Sequence, residues 1–245
     1  MPTLKLKDDF HAALQDYQLS DHAKLVLAAT RMVVLTAPTA SGRNTIINEL
    51  LRTNEYNFIV SDTTRSPRSN DGTMEQNGRE YFFREEAEML ADIKAGNFLE
   101  AEVIHEQQVS GISIRELEKA SQADRIAITD MDIGGVLNIL RLKADTTAVL
   151  VLPPSFDTWH ERIFSRGPMD DDEYGRRLQT AARILASGVH ESSSLKIVIN
   201  DDLTDAAEEI HELVMNGQFS AEQQRRGVSV AKELLADTEA ALKAL

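Results

Sequence analysis

A short apolar strand that runs through a glycine-containing turn into a helix is the feature that most constrains this fold. Residues 32–35 are Met-Val-Val-Leu, and residues 45–51 read as the first turns of a helix. The turn between them keeps Gly42 of the phosphate-binding pattern G-x-x-x-x-G-K-[ST]. A strand, turn and helix in this order surround an anion with backbone N–H groups and the positive end of a helix. By itself the segment is equally compatible with an ordinary strand-turn-helix connection that carries a surface arginine.

A second candidate anion site follows shortly after this loop. Residues 61–68 read Ser-Asp-Thr-Thr-Arg-Ser-Pro-Arg, so that Arg65 and Arg68 are three residues apart in a proline-containing turn. Two guanidinium groups at this spacing form a fork that can bind a phosphate bidentately. Two phosphate sites in one chain indicate phosphoryl transfer, a reaction in which the protein mainly positions substrates and neutralises charge.

Strand-like runs alternate with helical patterns, which predicts an α/β fold with a parallel sheet flanked by helices. The expected strands are 32–35, 58–60, 125–129, 147–152 and 196–199. In such a sheet a ligand binds at the carboxyl ends of the strands. Residues 58–111 change to short strands and turns, which predicts an inserted subdomain. Residues 170–173 are all acidic and are expected to form a solvated, flexible stretch.

The composition is that of a globular chain without disulfides. Its 245 residues are 42% hydrophobic, enough for one large domain or two small ones, and the lack of cysteine excludes disulfides and thiol catalysis. No run reaches the length of a membrane span and no secretory core is evident, so we expect a cytoplasmic protein without a membrane partner. A formal net charge of -14 repels polyanions, so no nucleic-acid partner is expected.

Taken in order, these segments resemble the guanylate kinase family from about Met32 to about Val214. Further matching segments are Gly-Arg-Glu-Tyr-Phe-Phe at 78–83, Phe-Leu-Glu at 98–100, Asp-Met-Asp-Ile-Gly-Gly at 130–135, Leu-Pro-Pro-Ser at 152–155, Arg-Gly at 166–167, Arg-Arg-Leu at 176–178 and Val-Ile-Asn-Asp-Asp-Leu at 198–203. The resemblance implies a P-loop domain at 31–214, with a GMP-binding subdomain at 58–111 and a short lid at 162–180. A helical extension at 1–30 and a helical tail at 215–245 lie outside it.

The resemblance also implies ATP-dependent phosphorylation of GMP to GDP, with Mg²⁺ bridging the ATP phosphates and Asp130 as a possible metal ligand. The implied ATP site comprises Ala40, Ser41, Gly42, Arg43, Asn44, Thr45 and Asn200. The implied catalytic residues are Arg43, Arg166 and Arg177. The implied GMP site comprises Ser61, Arg65, Arg68, Tyr81, Glu100, Ser110, Asp130 and Asp132.

Two carboxylates are expected to select the base. Guanine presents N–H donors at N1 and at its exocyclic amine, and the carboxylates of Glu100 and Asp132 can only accept hydrogen bonds. Asp130 lies two positions before Asp132 and is expected on the same strand and the same face, near the phosphates or the metal.

Several positions depart from the family pattern. Ala37, Arg43 and Asn44 replace residues of the usual phosphate loop. Arg43 stands where a lysine is usual, and a planar guanidinium does not replace a compact ammonium between phosphates without consequence. Ser110 stands where the family has a tyrosine, so that one acceptor-site contact has no evident donor.

Three functions remain open: an active guanylate kinase, which we favour, a GMP-binding pseudoenzyme with weak catalysis, and a protein-interaction module. Ser20 is a plausible cap for a helix beginning near His22 in the N-terminal extension, which is expected to pack on the domain. Ser220 and Gln223 have capping-box spacing before an amphipathic tail. This tail either packs on its own domain or forms a helix-mediated homodimer, so monomer and homodimer both remain possible.

Overall fold

The computed structural model describes residues 4–70, 72–165 and 167–245, and these form two compact units. One unit contains the described residues of Met1–Arg31 together with Asn57–Ala127. The other contains Met32–Tyr56 and the described residues of Ile128–Leu245. The first unit thus takes in the N-terminal extension and runs to Ala127, whereas the predicted insertion ends at residue 111.

Helices and strands alternate along most of the chain. The helices are α1 (Lys7–Gln15), α2 (Asp21–Ala29), α3 (Arg43–Leu51), α4 (Glu86–Lys94), α5 (Ile114–Gln122), α6 (Ile133–Leu142), α7 (Phe156–Phe164), α8 (Asp171–His190), α9 (Leu203–Asn216) and α10 (Ala221–Ala244). The strands are β1 (Met32–Thr36), β2 (Tyr56–Phe58), β3 (Asp62–Thr63), β4 (Ser69–Asn70), β5 (Thr73–Met74), β6 (Phe82–Phe83), β7 (Phe98–Ile104), β8 (Gln108–Ser113), β9 (Ile126–Asp130), β10 (Thr147–Leu152) and β11 (Lys196–Ile199).

A five-stranded sheet has the strand order β11-β10-β1-β9-β2. Strand β10 is parallel to both β1 and β11, and nearly every residue of β1 and β10 is buried. Such continuous burial is expected where helices cover both faces of a parallel sheet. The predicted α/β fold with a parallel sheet flanked by helices is therefore confirmed.

The second strand lies two residues earlier than predicted. It is Tyr56–Phe58 instead of 58–60, although Ile59 and Val60 are also buried. Tyr56 is only 2% exposed, and its hydroxyl lies 3.0 Å from Nδ1 of His211 on α9. The observed strand therefore includes a residue with a long-range contact. Local hydrophobicity favours Ile59 and Val60 as strand residues and does not indicate that contact.

The first unit is built on a four-stranded sheet in the order β6-β3-β8-β7, with a separate β4-β5 hairpin. Strand β8 is antiparallel to β3 and β7, whereas β3 and β6 are parallel. Its core cluster contains buried side chains from the N-terminal segment, from α4 and from this sheet, namely Leu4, Phe10, Met89, Leu90, Ile93, Phe98 and Val109. The N-terminal segment is therefore part of the core of this unit.

Polar caps begin several helices at the expected residues. Ser20 Oγ accepts a hydrogen bond from the Ala23 N–H at the start of α2, and Ser220 and Gln223 form the predicted capping box of α10. The acidic stretch at 170–173 is solvent-exposed at Asp170–Asp172, as expected, but it is not irregular, because Asp170 caps α8 and the other acids form its first turn. Acidic side chains are favourable there because the amino end of a helix carries partial positive charge.

Within the described part of the chain, no helix is long and apolar enough to cross a membrane.

Candidate functional site

The loop between β1 and α3 has the backbone geometry of an anion cradle. Strand β1 ends at Thr36, and Gly42 caps α3 with φ 88°, a left-handed conformation that glycine adopts without steric cost. A Cβ at Gly42 would collide with the side-chain amide of Asn200. Ala40 also has a positive φ, of 62°. The loop therefore requires glycine at position 42, and the first N–H groups of α3 have no intrahelical partners.

Asn200 fastens this loop to the end of the sheet. Its side-chain Nδ2 donates a hydrogen bond of 2.8 Å to the Ser41 carbonyl, and its backbone N–H donates one of 2.7 Å to the Leu152 carbonyl. Its own carbonyl accepts a hydrogen bond of 3.0 Å from Arg162 Nη1. The predicted ATP-site residue Asn200 therefore lies against the predicted loop residues, where it fixes the shape of the cradle.

Trp159 is a second support for the loop, a role that no local sequence pattern indicated. Its Nε1–H donates a hydrogen bond of 2.7 Å to the Thr39 carbonyl, and its side chain is 1% exposed. The same cluster contains Ala40 and, from the C-terminal helix α10, Ala241 and Leu242. The C-terminal tail thus packs around the tryptophan that holds the phosphate loop.

The loop also has polar groups that are suited to a phosphate ligand. No described residue forms a hydrogen bond with the buried Ser41 Oγ. A buried hydroxyl without a partner is costly, and a phosphate oxygen would supply one. Asn44 and Thr45 are exposed on the first turn of α3. The predicted ATP residues from Ala40 to Thr45 therefore lie together around one helix end.

Arg43 and Asp130 form an ion pair beside this loop. Asp130 is the last residue of β9, and Arg43 Nη2 contacts its carboxylate, while Arg43 Nε donates a hydrogen bond of 3.3 Å to Asn44 Oδ1. A guanidinium has five N–H donors, so these contacts leave others for a ligand. The carboxylate of Asp130 is a hard oxygen donor of the kind that Mg²⁺ prefers. The structure therefore brings together the atypical loop arginine and the candidate metal ligand.

Arg177 lies on α8 and faces a cavity that also contacts the loop. The cavity has a volume of about 370 Å³ and is lined by Thr39, Glu173, Arg176, Arg177 and Thr180. Glu173 pairs with Arg177 one helical turn later. Arg176, which is exposed, lines the same cavity without having been predicted as a site residue. The third predicted catalytic residue, Arg166, lies outside the described residues.

In the other unit, Arg65 is held in place by a carboxylate that the sequence did not reveal. Arg65 donates two hydrogen bonds to Glu75, of 2.5 and 2.9 Å, and the Arg68 N–H donates a third, of 2.8 Å. These bonds lower the pKa of Glu75 to about 2. The Arg65 guanidinium also lies 4.7 Å from the centre of the Tyr81 ring, where cation–π attraction holds it. Glu75 therefore organises the predicted arginine fork.

Three other residues of the predicted GMP site lie on this turn or on the segment that pairs with it. Arg68 is exposed, whereas Ser61 and Tyr81 are partly buried. The Ser61 carbonyl accepts a hydrogen bond of 2.9 Å from the Phe82 N–H, which links the start of the turn to the strand after Tyr81. Arg65 is thus in contact with the Tyr81 ring. Ser61 is next to Asp62, the residue that pairs with Phe82 after Tyr81.

A buried ion network holds the strand from which this turn begins. The carboxylate of Asp62 is fully buried and accepts hydrogen bonds from Arg84 Nη1 at 2.6 Å and from Arg115 Nη2 at 2.8 Å. Removing one partner from such a network leaves an uncompensated buried charge, which is strongly destabilising. Asp62 directly follows Ser61, so the network fixes the start of the predicted phosphate-binding turn. No sequence signal marked these three residues as partners.

Glu100 and Ser110 lie on the adjacent strands β7 and β8. Glu100 is partly buried and stands opposite Ile112 in the antiparallel pair. The Ser110 Oγ donates a hydrogen bond of 2.9 Å to Thr63 Oγ1, which in turn donates one to the Val109 carbonyl. Ser110 is therefore engaged with β3, the strand that leads into the arginine turn.

Asp132 does not lie on the strand that carries Asp130, so the expectation of one shared strand face is wrong. Strand β9 ends at Asp130, and Asp132 caps α6, where its carboxylate accepts a hydrogen bond of 2.7 Å from the Gly135 N–H. The capping interaction competes with strand continuation because it satisfies an N–H at the start of the helix. Asp132 remains 62% exposed and has Arg183 at 3.9 Å.

Comparison with known proteins agrees with this geometry. The guanylate kinase family model matches residues 29–217. A guanylate kinase from Corynebacterium glutamicum is 34% identical over 188 residues, covering 76% of this chain and 95% of its own. One from Porphyromonas gingivalis is 31% identical over 195 residues, covering 78% and 99%. The crystal structure of guanylate kinase from Anaplasma phagocytophilum shares the fold, with a TM-score of 0.56 at 22% identity, covering 78% and 88% of the two chains.

The parallel sheet with a phosphate loop at the start of α3 is that of an enzyme of the nucleoside monophosphate kinase type. Within that class, the chain belongs to the guanylate kinase family. The family match leaves out residues 1–28 and 218–245, which contain α1, most of α2 and α10.

Proposed function

We propose that this protein transfers the γ-phosphoryl group of ATP to GMP and releases ADP and GDP. The observation that carries the proposal is the intact cradle, in which Gly42 with positive φ opens α3 and Asn200 holds the loop. Membership of the guanylate kinase family supports GMP as the acceptor. The pseudoenzyme and interaction-module alternatives are not favoured, because the relatives of this chain are named guanylate kinases.

On the donor side, the residues of the loop bind and orient the ATP phosphates. The free N–H groups of α3 and the unpartnered Ser41 Oγ bind phosphate oxygens, and Arg43 neutralises their charge. Arg177 offers a second guanidinium from the cavity beside Thr39. Asp130 would offer a carboxylate oxygen to Mg²⁺, which would supply further charge neutralisation when bound with ATP. In phosphoryl transfer such positioning and electrostatic stabilisation account for nearly all of the catalysis.

On the acceptor side, Arg65 and Arg68 bind the phosphate of GMP. Glu75 holds Arg65 in one orientation, so little side-chain entropy is lost when the phosphate arrives. One oxygen of that phosphate attacks the γ-phosphorus, and the bond from the γ-phosphorus to the oxygen that bridges it to the β-phosphate breaks. Glu100 accepts hydrogen bonds from the guanine edge, which adenine cannot donate in the same arrangement.

A coupled assay of ADP formation from ATP, GMP and Mg²⁺ tests this function, with Arg43→Ala as the first variant. We expect kcat/KM to fall about 10²-fold or more, because a charge-assisted contact to the transferring phosphates is lost. Arg52→Ala is the matched control: Arg52 follows the same helix, its side chain is 75% exposed and its ion pair with Glu49 lies at the surface. It should stay within about twofold of wild type, as expected for a surface ion pair.

The wild-type result decides the proposal. No GMP-dependent ADP formation at any ATP and Mg²⁺ concentration would refute the kinase function. Equal losses in the Arg43 and Arg52 variants would refute the role of Arg43 while leaving the kinase function in place.

A further inference from the structure

The N-terminal segment, which precedes the family match, is built into the acceptor-binding unit. Phe10 is fully buried in the same cluster as Phe98, the first residue of β7. The backbone N–H groups of Lys5 and Leu6 donate hydrogen bonds of 3.2 and 2.8 Å to the carboxylate of Glu86 on α4. The segment thus contributes both apolar contacts and hydrogen bonds to the unit that carries the arginine fork.

One side chain of this segment binds directly to the backbone of β7. The Tyr17 hydroxyl donates a hydrogen bond of 2.5 Å to the Phe98 carbonyl and accepts one of 2.9 Å from the Phe98 N–H. In the described sheet, β7 is an edge strand. The hydroxyl therefore takes the place of a neighbouring strand at this one residue, since it satisfies both backbone groups.

The residue that Tyr17 holds lies beside a β-bulge. Phe98 pairs with Ser113, but Glu100 pairs with Ile112, so β7 contains one residue more than β8 between these pairs. A bulge bends its strand and re-aims the side chains next to it, and it interrupts the ladder that would otherwise hold them. Glu100 is the first paired residue after the bulge, and it is partly buried. The orientation of the Glu100 side chain therefore depends on the contacts that hold the backbone of β7 at the bulge.

We propose that Tyr17 is a positioning residue for base recognition. Its two hydrogen bonds to Phe98 fix β7 at the bulge and thereby hold Glu100 in the orientation that accepts the guanine edge. This inference rests on the proposed function, since Glu100 meets guanine only if GMP is the acceptor. The N-terminal extension is then a part of the acceptor site as well as of the core.

Tyr17→Phe tests the inference because it removes the hydroxyl and keeps the ring. We expect KM for GMP to rise about three- to tenfold, as for a lost positioning hydrogen bond, while KM for ATP stays within about twofold. The ratio of kcat/KM for GMP to that for AMP should fall by a similar factor. Exchange of the Phe98 amide with solvent deuterium should become faster.

Tyr56→Phe is the matched control. Tyr56 is a buried tyrosine, whereas Tyr17 is partly buried, and the Tyr56 hydroxyl contacts His211 in the other unit. This variant should lose stability without any change in KM for GMP or in the base ratio. An unchanged GMP response in Tyr17→Phe, or an equal change in both variants, overturns the inference. A wild-type protein without GMP kinase activity would instead refute the proposed function.

If the Tyr17→Phe variant does not fold, amide exchange in the wild-type protein tests the same inference. GMP should slow deuterium exchange at the amides of Phe98 and Glu100, because a base bound at Glu100 and the Tyr17 contact stabilise the same bulge. If GMP binds but leaves these two amides unchanged, the inference is overturned. Slowed exchange at both amides supports it.

Discussion

At the scale of single residues, the arginines of the candidate site are held by carboxylates. Glu75 binds Arg65, Asp130 binds Arg43 and Glu173 binds Arg177. A carboxylate restricts the rotamers of its arginine and leaves further N–H donors for a phosphate, since guanidinium has five. Each of these three guanidinium groups therefore has a carboxylate partner, and the pair of Arg65 with Glu75 is the most buried of the three.

The Glu75 pair makes stability depend on pH in a defined direction. Its folded-state pKa is about 2, below the ordinary value of 4.5, because Arg65 and the Arg68 N–H stabilise the carboxylate. A depressed pKa gives a contribution that is complete above pH 4.5 and is lost as the pH falls towards 2. Glu75→Gln should therefore be less stable than wild type at pH 7, and this difference should shrink between those two values.

Urea unfolding of both proteins at several pH values from 7 down to 3 measures this difference. Glu49→Gln is a suitable control, because its partner Arg52 is largely exposed and exposed pairs contribute little. A stability difference between wild type and Glu75→Gln that does not change with pH would contradict the role of the carboxylate charge.

At the scale of secondary-structure elements, α10 is an integral part of its unit. Its buried residues are Gly227, Ala231, Leu234 and Thr238, and the helix contacts α7, α8, β10 and β11. Gly227 is required because a Cβ there would lie 2.5 Å from the Ile197 carbonyl oxygen. The tail was expected either to pack on its own domain or to form a homodimer. These contacts correspond to packing on its own domain.

Leu234→Ala should therefore destabilise the protein strongly. Leu234 is 2% exposed, and truncating a buried leucine costs about 2–5 kcal/mol through lost transfer free energy and the cavity left behind. The free energy of unfolding in urea measures the loss, with the neighbouring exposed Lys232→Ala as control. A loss below about 1 kcal/mol, as for a typical surface substitution, would show that α10 is not an essential packing element.

At the scale of the whole molecule, the acidic surface and the local arginine clusters act in opposite directions. The formal net charge of -14 repels anions at long range, while in the proposed site Arg65, Arg68, Arg43 and Arg177 would attract phosphate locally. Short-range, charge-assisted hydrogen bonds decide binding at distances where the surface charge is screened by salt. The acidic surface is therefore no obstacle to the proposed binding of small nucleotides.

Ligand binding to the folded state should raise the melting temperature of the whole protein. At a GMP concentration about 100-fold above Kd, the expected stabilisation is about 2.7 kcal/mol. AMP, CMP and UMP at the same concentration should give a much smaller shift in Tm, because they do not satisfy Glu100. Differential scanning fluorimetry at fixed salt and Mg²⁺ compares the four nucleotides, and equal shifts for AMP and GMP would refute the role of Glu100 in base selection.

Local residue patterns were enough to predict the five strands of the parallel sheet and the candidate phosphate loop. Apolar periodicity located the five strands of the parallel sheet to within two residues, and Gly42, Ser20 and Ser220 marked helix starts. These features depend on residues a few positions apart, where steric limits and capping hydrogen bonds act locally. For the same reason the sequence could locate the arginine turn of Arg65 and Arg68.

The contacts that hold these elements in place could be found only in the folded chain. Tyr17 and Phe98 are 81 residues apart, Trp159 and Thr39 are 120 apart, and Asn200 and Ser41 are 159 apart. No local pattern specifies such pairs, because a side chain acquires its partner only when chain segments pack and buried polar groups must be satisfied.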